Sequence, residues 1–241
     1  MTGVSAPSLA VPRGTREPFV RGRLSPAVFY AAVTPLLLAG AIAGVVVGST
    51  QLDWSVVVDV LAVKTLPASW TAGISVTRAD EAIVWLIRFP RVLVAACVGA
   101  ALATAGAMMQ SLFRNPLGEP TLIGVGPGAV FGAVAVFVSG WSSTSLVALP
   151  LAAIASAFLA LLFVYGIATR GGTTPVSTLL LAGIAVGSFL TALSSLLLSI
   201  NIVTWQVTQE IVFWMMGGLD SRTWTHVWLS APFVAIGLVA A

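Results

Sequence analysis

The chain has 241 residues, of which 58% are hydrophobic and only 8% are charged, and its mean hydropathy is +1.04. A soluble domain carries about 25% charged residues, so this composition excludes a soluble core and predicts an integral membrane protein. The net charge of +3 rests on few ionisable groups and predicts no nucleic-acid partner. The single cysteine, Cys97, excludes a disulfide within the chain and argues against a metal cage.

The apolar runs predict a polar tail followed by a multi-span membrane domain. Residues 1–26 form the tail, which carries four arginines, and residues 27–241 form the membrane domain. A spanning helix needs about 20 mostly apolar residues. Five uncharged runs meet this length, and a sixth begins near residue 227 and continues to the last residue. The five runs are 27–48, 92–112, 121–139, 146–168 and 178–200.

The orientation of the spans follows from the positions of Lys and Arg. The tail arginines precede the first span, which usually decides orientation, so a cytoplasmic N-terminus is expected. All eight tryptophans then fall in or beside the outer connections. In this orientation Arg88 and Arg91, in the segment "LIRFPRV", lie at the outer face.

Glycines in three of the runs predict close contacts between helices. Lipid gives no hydrophobic drive between helices, so tight packing depends on small residues that share one helical face. The predicted packing positions are Gly99 and Gly106 in the second run, Gly124, Gly128 and Gly132 in the third, and Gly183 and Gly187 in the fifth.

Several kinds of chemistry are absent from the sequence. Lys64 is the only lysine and no glycine-rich loop precedes it, which excludes the usual phosphate-binding loop. His226 is the only histidine, so zinc-protease motifs are excluded. The stretch "GVGPGA" matches a dinucleotide fingerprint only loosely, with no strand before it. The five uncharged runs offer no ionisable group for ion coupling, so energy for uphill transport would come from another chain.

A set of short motifs follows the first span. It begins with Arg88-Phe-Pro-Arg91, and five further stretches are "GAMMQ" at 106–110, "NPLGEP" at 115–120, "LIGVGPG" at 122–128, "LLLAGIAVG" at 179–187 and "FWMMGGLDSRTW" at 213–224. In this combination the chain resembles the permease subunits of the iron-siderophore, haem and cobalamin importers, most strongly between Ile87 and Gly132. The resemblance implies an all-α integral membrane fold, a multi-span bundle in which six of ten expected spans are present.

The resemblance also implies partners and localisation. The permease would be multi-pass in the cell inner membrane, with a cytoplasmic N-terminus, and paired as a homodimer or with a second permease. An ATP-binding subunit would bind ATP and Mg²⁺, so this chain itself would hold no cofactor and would not be an enzyme. A substrate-binding protein or lipoprotein would deliver the substrate, and the lipid bilayer would surround the helices.

The resemblance implies that two arginines bind the substrate-binding protein. Arg88 and Arg91 would face outward and meet acidic residues of the substrate-binding protein, where fixed guanidiniums would speed encounter and fix register. The alternative is that both arginines only anchor the second span at the lipid headgroups.

The resemblance also implies which residues line the substrate pathway and which form the cytoplasmic gate, and a further segment is interpreted as a structural turn. The pathway would be lined by the fifth span and the short outer helix after it, although core packing explains the same residues almost as well. These pathway residues are Thr191, Ser194, Ser195, Ser199, Met215 and Met216. The cytoplasmic gate would lie at Thr174, Pro175, Val176 and Ser177. Asn115, Pro116 and Pro120 are interpreted as a rigid turn between the second and third spans rather than as ligand contacts.

The leading hypothesis is the permease subunit of a ferric-siderophore importer that works by alternating access. A haem or cobalamin importer is the alternative, because no residue selects the substrate. The chain ends inside the sixth run, before the helix and spans through which the family contacts its ATPase. A truncated, non-transporting membrane protein is therefore a further alternative, and we expect this piece not to pump by itself.

Overall fold

The structure is a computed structural model that describes residues 25–200, apart from 144 and 146, and residues 205–241. Most of the predicted polar tail, residues 1–24, lies outside the described residues. By its contacts the chain divides into two units, Met1–Ala43 and Gly44–Ala241, and this division falls within the first helix. Over the described ranges no β-strand is present, and an isolated bridge joins Arg170 and Thr173.

The described residues form nine α-helices joined by short connections. In chain order these are α1 Pro26–Val46, α2 Trp54–Thr65, α3 Arg78–Glu81, α4 Phe89–Phe113, α5 Val125–Val138, α6 Ala148–Ala168, α7 Val176–Ile200, α8 Trp205–Met215 and α9 Trp224–Ala240. A π-helical stretch, Ala82–Arg88, joins α3 to α4, and a 3₁₀ turn, Pro120–Ile123, precedes α5.

Four of the described helices are long and apolar enough to cross a membrane, judged by length and composition. They are Pro26–Val46, Arg78–Phe113, Ala148–Ala168 and Val176–Ile200. These four correspond to the first, second, fourth and fifth predicted runs. The third and sixth runs form shorter apolar helices, Val125–Val138 and Trp224–Ala240.

The third predicted span is shortened by a break before α5. Residues Pro120–Ile123 form a 3₁₀ turn, and Gly124 follows in the left-handed region with φ of 82°. A glycine adopts this conformation without strain, because it has no Cβ. The regular α-helix therefore begins only at Val125, where apolarity alone predicted it from residue 121.

The helix α5 packs closely against α6 and α7 through its glycines. A Cβ added to Gly128 would lie 2.8 Å from the Ala160 Cβ, and one added to Gly132 would collide with the Ala152 carbonyl oxygen. Contacts this short leave room for hydrogen only, so the backbones of α5 and α6 approach at these positions.

The other predicted packing glycines divide into two groups. Gly183 lies against the Leu122 carbonyl oxygen, and a Cβ on Gly187 would lie 3.3 Å from the Pro127 Cγ. Gly99 and Gly106 on α4 depart from the expectation, because a Cβ at either position would meet no heavy atom within 4 Å in the described chain. The same residue type therefore marks a contact on α5 and α7 and open space on α4.

Three clusters of buried apolar side chains form the interior of the second unit. The first joins the turn before α5 to α6 and α7, with Ile123, Val164 and Val186 among its members. The second joins the end of α1 to α2 and the π-helical stretch, and the third joins α5 to α8 through Ile211. Many large apolar side chains stay exposed, as expected for helices surrounded by lipid.

Candidate docking surface and substrate groove

Arg88 is the last residue of the π-helical stretch, and its side chain is buried, with only 6% of the residue exposed. Its Nη1 donates to the carbonyl oxygens of Val45 (3.1 Å) and Val46 (2.7 Å), and its Nη2 donates to the carbonyl oxygen of Thr50. The last carbonyls of a helix lack partners within it and carry partial negative charge. Arg88 therefore caps the C-terminus of α1 and holds the connection that follows.

Gly48 provides the space for this guanidinium. A Cβ at residue 48 would lie 2.6 Å from Nη2 and 2.7 Å from Cζ of Arg88. Any larger residue would displace the side chain from its three carbonyl partners. Sequence reasoning missed this residue, since a glycine just after an apolar run gives no signal that an arginine from another helix lies against it.

The structure separates the two arginines of the predicted docking pair. The guanidinium of Arg88 donates its hydrogen bonds to backbone carbonyls inside the protein, which departs from the expected outward orientation. Its burial also differs from a side chain extended to the headgroups. The docking prediction stays untested, and Arg91 is the member whose side chain reaches the surface.

Arg91 lies in the first turn of α4 and forms an ion pair with Asp220. Its Nη2 is 2.8 Å from the Asp220 Oδ1, and the two side chains are 39% and 61% exposed. The Nε of Arg91 is buried and has no hydrogen-bond partner among the described residues. Asp220 was missed from the sequence, because nothing in the spacing of the chain links it to Arg91.

An aromatic cluster beside Arg91 joins α4 to the start of α9. The rings of Trp85 and Phe89 stack with their centroids 5.3 Å apart, and Trp224 lies 4.9 Å from Trp85. The Trp224 Nε1 donates to the Trp85 carbonyl oxygen at 2.8 Å. Tryptophans that the sequence assigned to two different outer connections therefore meet at one place, and they hold the loop before α9 near the first turn of α4.

A groove of about 520 Å³ runs along α7 where it meets the turn before α5. Its lining includes the backbone of Gly183 and Gly187 and the side chains of Thr121, Ser188 and Thr191. The hydroxyl of Thr191 donates to the Gly187 carbonyl oxygen at 2.8 Å, so its lone pairs stay available to a solute. Among the predicted pathway residues Thr191 lines this groove, and Thr121 and Ser188 are additions that the sequence did not single out.

The remaining predicted pathway residues lie in different environments. Ser194 is buried and donates to the Leu190 carbonyl oxygen, while Ser195 and Ser199 are exposed on α7. Met215 and Met216 are exposed at the end of α8, and Met216 lines a second, mostly apolar groove on that helix with Trp205 and Phe213. The structure thus brings Thr191 and Met216 to two separate grooves and leaves Ser194 in the interior.

The predicted gate and turn are short connections. Thr174 bonds through its hydroxyl to the hydroxyl of Thr169 at 2.8 Å, and Pro175 directly precedes α7, in which Val176 and Ser177 are the first residues. In the predicted turn, between α4 and α5, the Asn115 side-chain oxygen accepts from the Leu117 N–H at 2.9 Å. Pro116 lies inside this turn, and Pro120 begins the 3₁₀ turn that follows it.

Metal-binding residues are sparse in this part of the chain. Across the described ranges, no group of three or more His, Cys, Asp or Glu side chains lies close enough together to hold a metal ion. The groove on α7 is lined by hydroxyls, backbone and apolar surface, and the lining of the groove on α8 also includes Gln209 and Glu210.

Comparison with known proteins places this arrangement in a family. The FecCD transport family matches residues 36–241. The vitamin B12 import system permease protein BtuC of Shigella boydii is 39% identical over 200 residues, which cover 77% of this chain and 58% of that protein. The cobalamin import system permease protein BtuC of Halobacterium salinarum is 39% identical over 162 residues, which cover 67% of this chain and 42% of that protein. The chain thus spans about half the length of these relatives.

A solved structure shares the fold. It is described as an inward-facing conformation of a metal-chelate type ABC transporter, with a TM-score of 0.65, 28% identity, and coverage of 83% of this chain and 56% of that one. The packed helices therefore share the multi-span fold of an ABC-transporter permease over most of this chain. The chain belongs to the FecCD transport family, as the sequence motifs predicted.

Proposed function

We propose that the chain forms the permease part of an ATP-driven importer, which moves a bulky metal chelate through the cell inner membrane by alternating access. The observation that carries this proposal is the family match over residues 36–241. The grooves on α7 and α8 support it, because they combine hydroxyls, glycine backbone and soft methionine surface. Such surfaces suit a large solute that must bind weakly enough to pass.

The proposed partners follow from the family. A second permease subunit would complete the pathway as a homodimer, and an ATP-binding subunit would bind ATP and Mg²⁺ and supply the energy. A substrate-binding protein would dock on the outer face, with the N-terminus of the permease in the cytoplasm. Arg91 is the proposed docking residue, because its guanidinium reaches the surface beside an aromatic cluster.

Three substrate classes remain in the proposal, and different findings favour two of them. A ferric siderophore fits the metal-chelate description of the similar solved structure. Cobalamin fits the names of the relatives from Shigella boydii and Halobacterium salinarum. Both are large metal chelates, and haem is a third chelate of this kind.

The transport test compares these substrates directly. The permease in its full-length form is reconstituted in proteoliposomes with its ATP-binding subunit and its substrate-binding protein, and uptake of iron-labelled ferric siderophore, cobalt-labelled cobalamin and haem is followed. We expect uptake of one chelate, dependent on ATP and on the binding protein. Absence of ATP-dependent uptake of every chelate by the complete system would contradict the proposed function.

The docking role of Arg91 is tested by charge reversal. Arg91→Glu would place a carboxylate opposite the acidic residues of the binding protein, and capture is expected to weaken at least tenfold. The measurement is binding of the substrate-binding protein to the permease in nanodiscs. Arg78→Glu is the matched control, since this exposed arginine of α3 lies outside the ion pair with Asp220. Equal weakening by both variants would show a general charge effect and reject Arg91 as a specific docking residue.

A further inference from the structure

The segment formed by the loop of residues 216–223, which connects α8 to α9, and by Trp224, the first residue of α9, is attached to the segment around the start of α4 at two points. One is the ion pair between Arg91 and Asp220, with Nη2 and Oδ1 2.8 Å apart. The other is the hydrogen bond from Trp224 to the Trp85 carbonyl oxygen within the aromatic cluster. The first attachment is polar and solvent-accessible, whereas the second lies among stacked rings. An incoming charged group can therefore replace the first and leave the second intact.

The pairing leaves Arg91 incompletely satisfied. Asp220 contacts one terminal nitrogen of the guanidinium, and the buried Nε has no partner in the described part of the chain. Arginine binds a carboxylate most strongly when two N–H groups donate in parallel. An exposed pair with a single contact is weak, so a carboxylate that reaches both terminal nitrogens, Nη1 and Nη2, would compete effectively with Asp220.

The backbone of the loop includes one residue in an unfavourable conformation. Ser221, directly after Asp220, has φ of 61°, a left-handed conformation that non-glycine residues adopt rarely. Gly218 lies over the ring of Phe213 on α8, where a Cβ would be 2.5 Å from the Phe213 Cζ. The loop therefore lies against α8, and Ser221 keeps a left-handed backbone directly beside the residue that pairs with Arg91.

The helix α8 connects this loop to the helices that form the α7 groove. Its Ile211 is buried with Val134 and Phe137 of α5, and Leu197 and Leu198 of α7 pack against the same cluster. A change in the 216–223 loop thus has a packed route to α5 and α7.

We propose that Asp220 is an internal counter-ion that occupies Arg91 until an acidic side chain of the docking partner replaces it. The proposal rests on the proposed function, because it requires a partner that docks at Arg91. Replacement frees the 216–223 loop and changes the packing of α8, so that docking at the outer face alters the helices beside the groove. Asp220 also lowers affinity for the partner, since the partner must displace it.

The first test needs no partner. The detergent-solubilised chain is treated with phenylglyoxal, a reagent selective for arginine, and the rate of modification at each arginine is followed by peptide mass spectrometry. In Asp220→Asn the rate at Arg91 is expected to rise about two- to fivefold, the range that corresponds to loss of an exposed ion pair. Arg88 serves as an internal reference, because its buried guanidinium should react slowly in every variant.

The matched control removes a different carboxylate from the outer connections. Glu81 forms an ion pair with Lys64 and not with Arg91, and its side chain is 40% exposed. Glu81→Gln therefore changes the net charge by the same amount as Asp220→Asn and should leave the rate at Arg91 unchanged. An unchanged rate at Arg91 in Asp220→Asn, or an equal rise in both variants, would overturn the proposal.

The second test measures capture of the substrate-binding protein by the permease in nanodiscs. Asp220→Asn is expected to tighten capture about two- to fivefold more than Glu81→Gln does, and Asp220→Glu should restore the wild-type affinity. If the wild type captures the binding protein but Asp220→Asn and Glu81→Gln do not differ in affinity, the counter-ion role is overturned and the proposed function stays intact. No capture by any variant would contradict the proposed function and the counter-ion role together.

Discussion

The contact of α5 with α6 and α7 and the contact around Arg88 are built in opposite ways. At the first, glycines bring backbones together, and Gly132 and Gly183 lie directly against carbonyl oxygens of neighbouring segments. At the second, one long cation reaches three carbonyls and fills the space above Gly48. Both leave no room for a Cβ, but the obstacle is fixed backbone in one case and a movable side chain in the other. The difference predicts how each region responds to substitution.

The largest effect is expected at Arg88. In Arg88→Met the carbonyls of Val45, Val46 and Thr50 lose their charged donor while the apolar stem is kept. Hydrogen bonds to charged groups each contribute about 1.5–3 kcal/mol, and part of this loss is recovered by water, so the free energy of unfolding should fall by about 3 kcal/mol. Denaturant unfolding in detergent micelles measures this change.

Gly48 provides the control for that prediction. Gly48→Ala should destabilise the wild type, since its Cβ displaces the guanidinium, and should cost little in an Arg88→Met background. A double-mutant cycle isolates this coupling. If Gly48→Ala costs the same in both backgrounds, the space above Gly48 does not belong to Arg88.

The second-largest loss of stability is expected where α7 lies against the backbone of the turn before α5. In Gly183→Ala the new Cβ would collide with the Leu122 carbonyl oxygen and lie 2.7 Å from the Ile123 Cα, neither of which can rotate away. Overpacking of this kind costs about 1–3 kcal/mol, and we expect about 2 kcal/mol from the same unfolding measurement.

The matched control, Gly99→Ala, is expected to raise the free energy of unfolding rather than lower it. Gly99→Ala introduces a Cβ with no heavy atom within 4 Å, so only the backbone effect remains. Alanine in place of glycine within a helix stabilises by about 0.5–1 kcal/mol. Destabilisation of equal size by Gly99→Ala and Gly183→Ala would show that α4 has a neighbour at Gly99 and would remove the contrast.

The sequence predicted the fold class and the tight contact but not the polar one. Glycines four residues apart indicated close approach on α5 and α7, because a helix face is a local property of the chain. Gly99 and Gly106, seven residues apart on one face of α4, predicted a contact in the same way, but the described chain has open space there. Periodicity identifies a face that can pack, and the presence of a neighbour depends on tertiary structure.

The candidate docking site shows the same limit. The sequence predicted that Arg88 and Arg91 lie at one end of a span. It could not predict that Arg88 is buried while Arg91 is exposed, because this depends on where the end of α1 lies. Asp220 is close to Arg91 only because the aromatic cluster holds the loop before α9 beside α4. Such pairings join segments that are distant in the chain, so no local pattern contains them.

The smallest effect is expected at the ion pair of Lys64 with Glu81, which tests whether exposed charges in this region add stability at all. The two atoms are 2.5 Å apart, but the side chains are 31% and 40% exposed. Solvent screens such a pair, and ordering two long side chains offsets part of the attraction, so a coupling of about 0.5 kcal/mol is expected from a cycle of Lys64→Met and Glu81→Gln. The coupling should vanish at about 1 M salt, where the screening length is about 3 Å. A coupling that persists there would mean that the segment around Lys64 and Glu81 is shielded from solvent, and the contrast between exposed Arg91 and buried Arg88 would then need a new explanation.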